Sequence, residues 1–363
     1  MDLKRINKHL FLYVGIIVVL IVAAIIVLLL LNGGTKLSYS QVEQRLKDAA
    51  VKYYTDNSAL LPSTDGAQVS VSAYDLEEGN YISQLQKMVK GEAICSGEVK
   101  VTKNGDYYLY ATHLNCGNDY NSSELHSVVV DEKNVVTTGD GLYLMNNEYV
   151  FRGENVNNYV SFANKLWRIV KVDQSNYIKL LSEVDKPSQA WDNRFNVEHN
   201  SNVGINDYKV SRIKDYVFEM YNDKEFFSDN DRTFIAYKDI CVGKRKLDQT
   251  KNDNSIECST ILEHQPISLL QVNEYINASI DSSCKKIEDS QCQNYNYLSS
   301  YNRLWWSLTA DSTTTYKAYK ISSGGVSVAN TSSMGAVRPA IYLSNAVMFN
   351  GGDGTKQNPY VVK

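Results

Sequence analysis

The sequence predicts an α+β chain in three parts: an N-terminal transmembrane helix, a small helix-on-antiparallel-sheet domain, and a larger sheet-centred α+β domain. Three observations predict it. The run from Phe11 to Leu31 is 21 residues without charge or proline, about 31 Å of helix, enough to cross a bilayer. Val42, Leu46, Ala49, Ala50, Tyr53 and Tyr54 then recur at helical spacing ahead of alternating segments. From about residue 137 onward, strand-like segments at both ends bracket two helical faces.

Lys4, Arg5 and Lys8 face one acid, Asp2, before the apolar run, and only Lys36 follows closely. This bias places residues 1–10 in the cytoplasm and the rest of a single-pass membrane protein outside the cell. Leu28-Leu29-Leu30-Leu31-Asn32 offers no small-x-small cleavage site, so the run reads as an uncleaved signal anchor. Asn32-Gly33-Gly34 breaks the helical pattern, and residues 32–36 read as a hinge. The net charge is −4 with Lys and Arg scattered, which excludes a nucleic-acid footprint.

Six cysteines, Cys95, Cys116, Cys241, Cys258, Cys284 and Cys292, all follow the anchor. Fifteen pairings exist in principle. Local closure over 21, 17 and 8 positions pairs 95 with 116, 241 with 258 and 284 with 292. Such bridges suit an oxidising exterior. No C-x-x-C occurs, and His113 beside Cys116 is the one histidine close to a cysteine, so metal ligation is the weaker reading.

Within residues 37–120, Ser40-x-x-Glu43 reads as a capping box opening a helix over 41–56. Val69-Ser-Val-Ser alternates, a short helical piece runs through Tyr81 to Leu85, and Glu98 to Tyr110 folds as a hairpin around Asn104-Gly105. Residues 121–136 are polar and turn-rich and read as a linker. Strands follow at Leu142–Met145, Tyr149–Arg152, Tyr159–Phe162, Leu166–Val172 and Tyr177–Leu181. Val210 to Tyr221 and Leu269 to Ala278 carry helical patterns. Strands return at Leu304–Thr309, Tyr316–Ile321, Val326–Val328 and Ala336–Leu343.

Ala49-Ala50-Val51-Lys52-Tyr53-Tyr54, behind an apolar N-terminal helix and ahead of strands closed by a cysteine loop, resembles the pilin-like domains of Gram-positive surface proteins. Thr138-Gly-Asp-Gly-Leu-Tyr, Leu166-Trp-Arg-Ile, Trp305-Trp-Ser-Leu-Thr, Val337-Arg-Pro-Ala-Ile-Tyr-Leu and Gly352-Asp-Gly-Thr resemble an uncharacterised domain of exported Bacillota proteins. That domain is similar in turn to the C-type-lectin-like fold of the formylglycine-generating-enzyme group. Over residues 137–363 the resemblance implies a C-type-lectin-like α+β head with recognition loops between about 185 and 300.

Chemistry-bearing motifs are sparse. There is no H-E-x-x-H, G-x-S-x-G or P-loop pattern. Ser211-x-x-Lys214, Ser283-x-x-Lys286 and Ser228-Asp229-Asn230 match penicillin-recognising motifs, but no Lys-Thr-Gly completes them. Cys284 and Cys292 invite comparison with the cysteine pair of formylglycine-generating enzymes, yet they precede the Trp-Trp strand instead of following it. No cofactor is expected; Asp140 and Asp353, in Gly-Asp-Gly turns, are the candidates should Ca²⁺ bind. Recognition is expected from Trp191, Trp305 and Trp306, because alternation sends one of the adjacent pair outward. Arg338 reads as a buried structural arginine paired with an acid.

The function expected is that of a membrane-anchored cell-surface binding protein for an extracellular protein or glycan. A minor pilin-like envelope component and an extracellular enzyme related to the formylglycine-generating group are the alternatives.

Overall fold

A computed structural model describes residues 36–90, 93–250 and 255–363. The first unit holds helices α1 (Tyr39–Asp56), α2 (Ala73–Glu78) and α3 (Leu85–Met88) and strands β1 (Gln68–Ser72), β2 (Ser96–Asn104) and β3 (Tyr107–Asn115). Its antiparallel sheet runs in the order β1-β2-β3. Gly105, at φ 58°, takes the tight turn between β2 and β3, as the Asn-Gly pair predicts. A side chain there would collide with the Tyr237 ring, whose nearest atom lies 2.2 Å from the added Cβ.

Helix α1 starts earlier than its sequence signal suggests. Its capping box is formed by Ser38 and Gln41, because Glu43 points inward. Only 4% exposed, Glu43 accepts hydrogen bonds from Ser122 Oγ and Lys363 Nζ and one of 2.9 Å from Tyr120 Oη.

After α4 (Leu125–Val129), the larger unit runs through β4 (Gly141–Met145), β5 (Glu148–Arg152), β6 (Tyr159–Phe162), β7 (Lys165–Val172), β8 (Ile178–Ser182) and β9 (Lys186–Ala190). Next come α5 (Arg212–Asn222), α6 (Asp229–Phe234), β10 (Ile235–Ala236), β11 (Lys238–Cys241), β12 (Ile261–Gln265), β13 (Ile267–Ser268) and α7 (Val272–Asn277). The last strands are β14 (Trp305–Ala310), β15 (Lys317–Ser322), β16 (Gly325–Asn330), β17 (Met334–Val337), β18 (Ala340–Leu343) and β19 (Tyr360–Val361).

A nine-stranded sheet contains the path β10-β18-β8-β7-β5-β4, a five-stranded sheet runs β16-β15-β14-β17-β9, and β11 pairs with β12 alone. The single strand expected over Ala336–Leu343 is two strands in different sheets. Arg338 and Pro339 carry the chain from one sheet to the other, where the buried Arg338 guanidinium donates to Ser182 O and Glu183 Oε1, each at 2.9 Å.

This architecture corrects the expected fold class. The protein is predominantly sheet, with nineteen strands against seven α-helices among the described residues, where an α+β chain is expected. Local pattern overstates helix there: the two helical faces give only 11 and 6 residues. Segments without clear alternation become strands through their pairing, Lys186–Ala190 with the distant β17 and Ile261–Gln265 with the preceding β11. Among the described residues no helix is long and apolar enough to cross a membrane. The run Phe11–Leu31, expected to do so, and the hinge through Thr35 lie outside them.

The disulfides join Cys95 to Cys116, Cys241 to Cys258 and Cys284 to Cys292, the pairing that local closure predicts. The two units share apolar packing, since Leu109 and Ala111 of β3 belong to the large core. Asn104 Nδ2 donates to Thr233 O at 2.7 Å across the junction. Residues 121–136 also pack: Leu125 and Val129 are fully buried, and Leu125 N donates to Val347 O at 2.8 Å.

Candidate functional site

The site begins with a register. Across four neighbouring strands, Val150 lies opposite Lys171, Lys171 opposite Lys179, and Lys179 opposite Tyr342. Two lysines facing each other inside a sheet repel unless carboxylates intervene. A β-bulge creates the arrangement, because Ile169 pairs with Leu180 whereas Lys171, two residues on, pairs with Lys179, one residue back. Without the extra residue at Val170, strict alternation would turn Lys171 toward the opposite face.

Carboxylates come from both sides. Lys179 is 2% exposed, and its Nζ donates to both oxygens of Glu274 at 2.7 Å. Glu274 sits on the first turn of α7, where its Oε2 also accepts from Gln271 N at 2.9 Å in a capping box. Lys171 Nζ donates to Glu148 at 2.9 and 3.0 Å and lies 4.0 Å from Glu274. The result is a continuous chain, Glu148–Lys171–Glu274–Lys179. Burial alone would lower the Lys171 pKa, but Tyr342, Glu274 and Glu148 together raise it, so the ammonium stays protonated.

Above this floor lies a cleft of about 440 Å³, within the range of small-molecule sites. Lys238 forms one side, its Nζ 2.9 Å from Asp173 and 4.0 Å from the centre of the Tyr177 ring. The Cys241–Cys258 bridge forms another side, tied to the end of α7 where Gln271 Nε2 donates to Cys241 O at 2.8 Å. Asn146 and Gln174, both exposed, place amides at the mouth.

Trp191, Trp305 and Trp306, expected to meet a ligand, are all fully buried. This corrects the expectation that one of the adjacent pair faces out. Strand β14 is interior to its sheet and covered on both faces, so all six of its residues are buried. The indole N–H groups of Trp191 and Trp306 are spent on Ser307 O and Gln189 O at 3.0 and 2.9 Å. Lys320 lies 4.3 Å from the Trp306 ring centre.

The other candidates resolve into structural parts. Ser211 and Ser228 are N-caps of α5 and α6. Cys284 and Cys292 are buried in their bridge. Asp140 accepts from the backbone N–H of Glu154 and Asn155 at 3.2 and 2.9 Å, and Asp353 from Thr355 N at 2.9 Å. Asp353 is engaged by its own turn, and Asp140 by the backbone that follows β5. Among the described residues no group of three or more His, Cys, Asp or Glu side chains is gathered for a metal.

Sequence reasoning passed over Lys171, Lys179 and Glu274. The available signal was a lysine set among apolar residues in each of two strands, Ile169-Val-Lys-Val and Ile178-Lys-Leu-Leu. In comparisons with known proteins, the chain matches no family model, no curated protein and no solved structure.

Proposed function

We propose that this chain is an exported binding protein, held at the cell membrane by the apolar run Phe11–Leu31, and that its cleft takes an uncharged, hydroxyl-rich ligand of the glycan class. The observation that carries this reading is the ion-paired floor. Lys171, Lys179 and Lys238 are already matched within the cleft by Glu148, Glu274 and Asp173, so no strong surplus of either sign invites an ion. Yet the walls offer ammonium and amide donors beside carboxylate and carbonyl acceptors, with the half-buried Tyr342 ring between them.

A ligand rich in hydroxyl groups uses both roles at once, since each hydroxyl donates and accepts. Buried ion pairs are also an expensive way to build a floor, because apolar residues of similar volume stabilise a core as well or better. Such a floor beneath an open cleft therefore fits a role in recognition. The three disulfides suit an oxidising exterior.

The test is a glycan array probed with the purified full-length chain, followed by titration of the best binder. Gln174→Ala and Tyr342→Ala should each weaken binding by about tenfold per folded molecule, the loss of roughly one hydrogen bond or one ring contact, with melting temperature unchanged for Gln174→Ala and lowered for Tyr342→Ala, whose ring packs on the core. An empty array, or binding indifferent to both substitutions, would overturn the proposal.

A further inference from the structure

A second concavity lies on the first unit, outside the cleft, with a volume of about 940 Å³. One wall is a stripe of α1, Arg45, Asp48, Ala49 and Lys52, spaced to share one helical face. The opposite wall is the segment from Tyr81 to Met88, with Ile82 and Lys87. Lys36 and Leu37 close one end, pinned where Leu37 N donates to Met88 O at 2.8 Å and Lys90 N to Leu37 O at 3.1 Å.

Its charge runs against that of the protein. The lining holds Lys36, Arg45, Lys52 and Lys87 against Asp48 alone, four positive minus one negative, in a chain whose net charge is −4. Lys52 Nζ is paired with Asp56 at 2.9 Å, so the groove's surplus rests on Lys36, Arg45 and Lys87, which no ion pair joins to an acid among the described residues. All four cations are exposed, and they surround the half-buried apolar surface of Leu37, Tyr81, Ile82 and Met88. Aliphatic stems over apolar residues with ammonium heads outward suit an amphipathic, anionic partner.

Position selects that partner. Leu31, the last residue of the apolar run, is five positions before Lys36, a reach of at most about 18 Å. With that run in the bilayer, the groove is held at the membrane surface.

We infer that this groove is a docking surface for anionic lipid headgroups, laying the first unit down on the membrane instead of holding it away on a free stalk. The inference rests on the anchoring role of residues 11–31. Each Lys or Arg near an anionic surface gains enough attraction to shift occupancy about fivefold.

The experiment reconstitutes the full chain into vesicles of phosphatidylcholine alone, or of two parts phosphatidylcholine to one part phosphatidylglycerol, and measures acylation by a membrane-impermeant amine reagent. Labelling of Lys36, Lys52 and Lys87 should slow by about fivefold on the anionic vesicles, relative to Lys224 and Lys286 outside the groove. Raised salt should abolish the difference. So should Arg45→Glu combined with Lys87→Glu, read at Lys36 and Lys52 and checked for folding by thermal melting. Equal labelling on both lipids overturns the docking surface. Protection that persists on neutral vesicles assigns the groove to another segment of the chain, and protection that rises with protein density assigns it to a second copy; either overturns it. A chain that leaves the vesicles altogether overturns the anchoring reading beneath it.

Discussion

The floor of the cleft and the tryptophan strand invite comparison, because both are interior strands with closely similar burial. Lys179 is 2% exposed and Trp305 and Trp306 are 0% exposed. The tryptophans bring large apolar area and pack beneath covered faces. The lysines bring charge that the fold must neutralise with Glu148 and Glu274, and they lie under an open cleft. Between these two regions, the large aromatic residues mark the interior and the lysines mark the candidate site.

The widest test of this contrast is paired replacement. Lys179→Met should lower unfolding free energy by about 3–5 kcal/mol, because it leaves the Glu274 carboxylate buried with part of its partnership gone. Adding Glu274→Leu should recover most of that loss in urea unfolding. Trp305→Ala should cost a similar 3–5 kcal/mol or so, with no single compensating partner to recover it. A neutral Lys179→Met would break the comparison, since the floor would then be ordinary core.

A smaller effect is expected at the cleft wall. Replacing Cys241 and Cys258 together by Ser should cost about 3 kcal/mol in the loop-entropy account of a bridge spanning 17 positions. Ligand affinity should fall further than stability alone explains, because that bridge lines the cleft. Equal affinity per folded molecule would remove the bridge from the site.

The smallest effect is a pH dependence of opposite sign at two half-buried histidines and one buried glutamate. Burial lowers the pKa of His113 and of His126 below the ordinary imidazole value of 6.5. The folded state keeps both rings neutral where the unfolded chain has already taken up protons. Stability therefore declines as pH falls below about 6.5 and levels off once the folded pKa values are passed. Glu257 has the opposite slope: burial pushes its carboxyl up to about 7 despite the Arg245 guanidinium, so its contribution declines as pH rises from about 4.5 toward 7. The informative quantity is the difference in melting temperature between the parent and His113→Gln across that interval, which should widen toward neutral pH. A constant difference would place His113 in a more solvated setting.

Much of the fold was legible where local chemistry decides it. Gly105 turns the β2–β3 hairpin, the local cysteine couples close as disulfides, and β4 to β8 form close to where their strand-like segments place them. The sheet dominance was not, because β9 owes its extended form to β17, far away in sequence, and β11 and β12 owe theirs to each other across a long connection. The site was hidden for a related reason. Period two tells which residues share a face, and only the bulge beside Val170, a property of the pairing, turns Lys171 to join Lys179. Alternation likewise separates the faces of Trp305 and Trp306 but says nothing of what covers each.

Glu43 and Lys363 meet across 320 positions of sequence. A chain made from its N-terminus brings out the α1 helix, with its inward-facing carboxylate, long before that ammonium exists. Until Lys363 arrives, Glu43 has only the hydroxyls of Tyr120 and Ser122 to hold it, so the first unit is completed by a residue made long after the rest of it. The order of emergence and the order of consolidation are thereby reversed: helix α1 is the earliest of the described elements to appear and among the latest to lock.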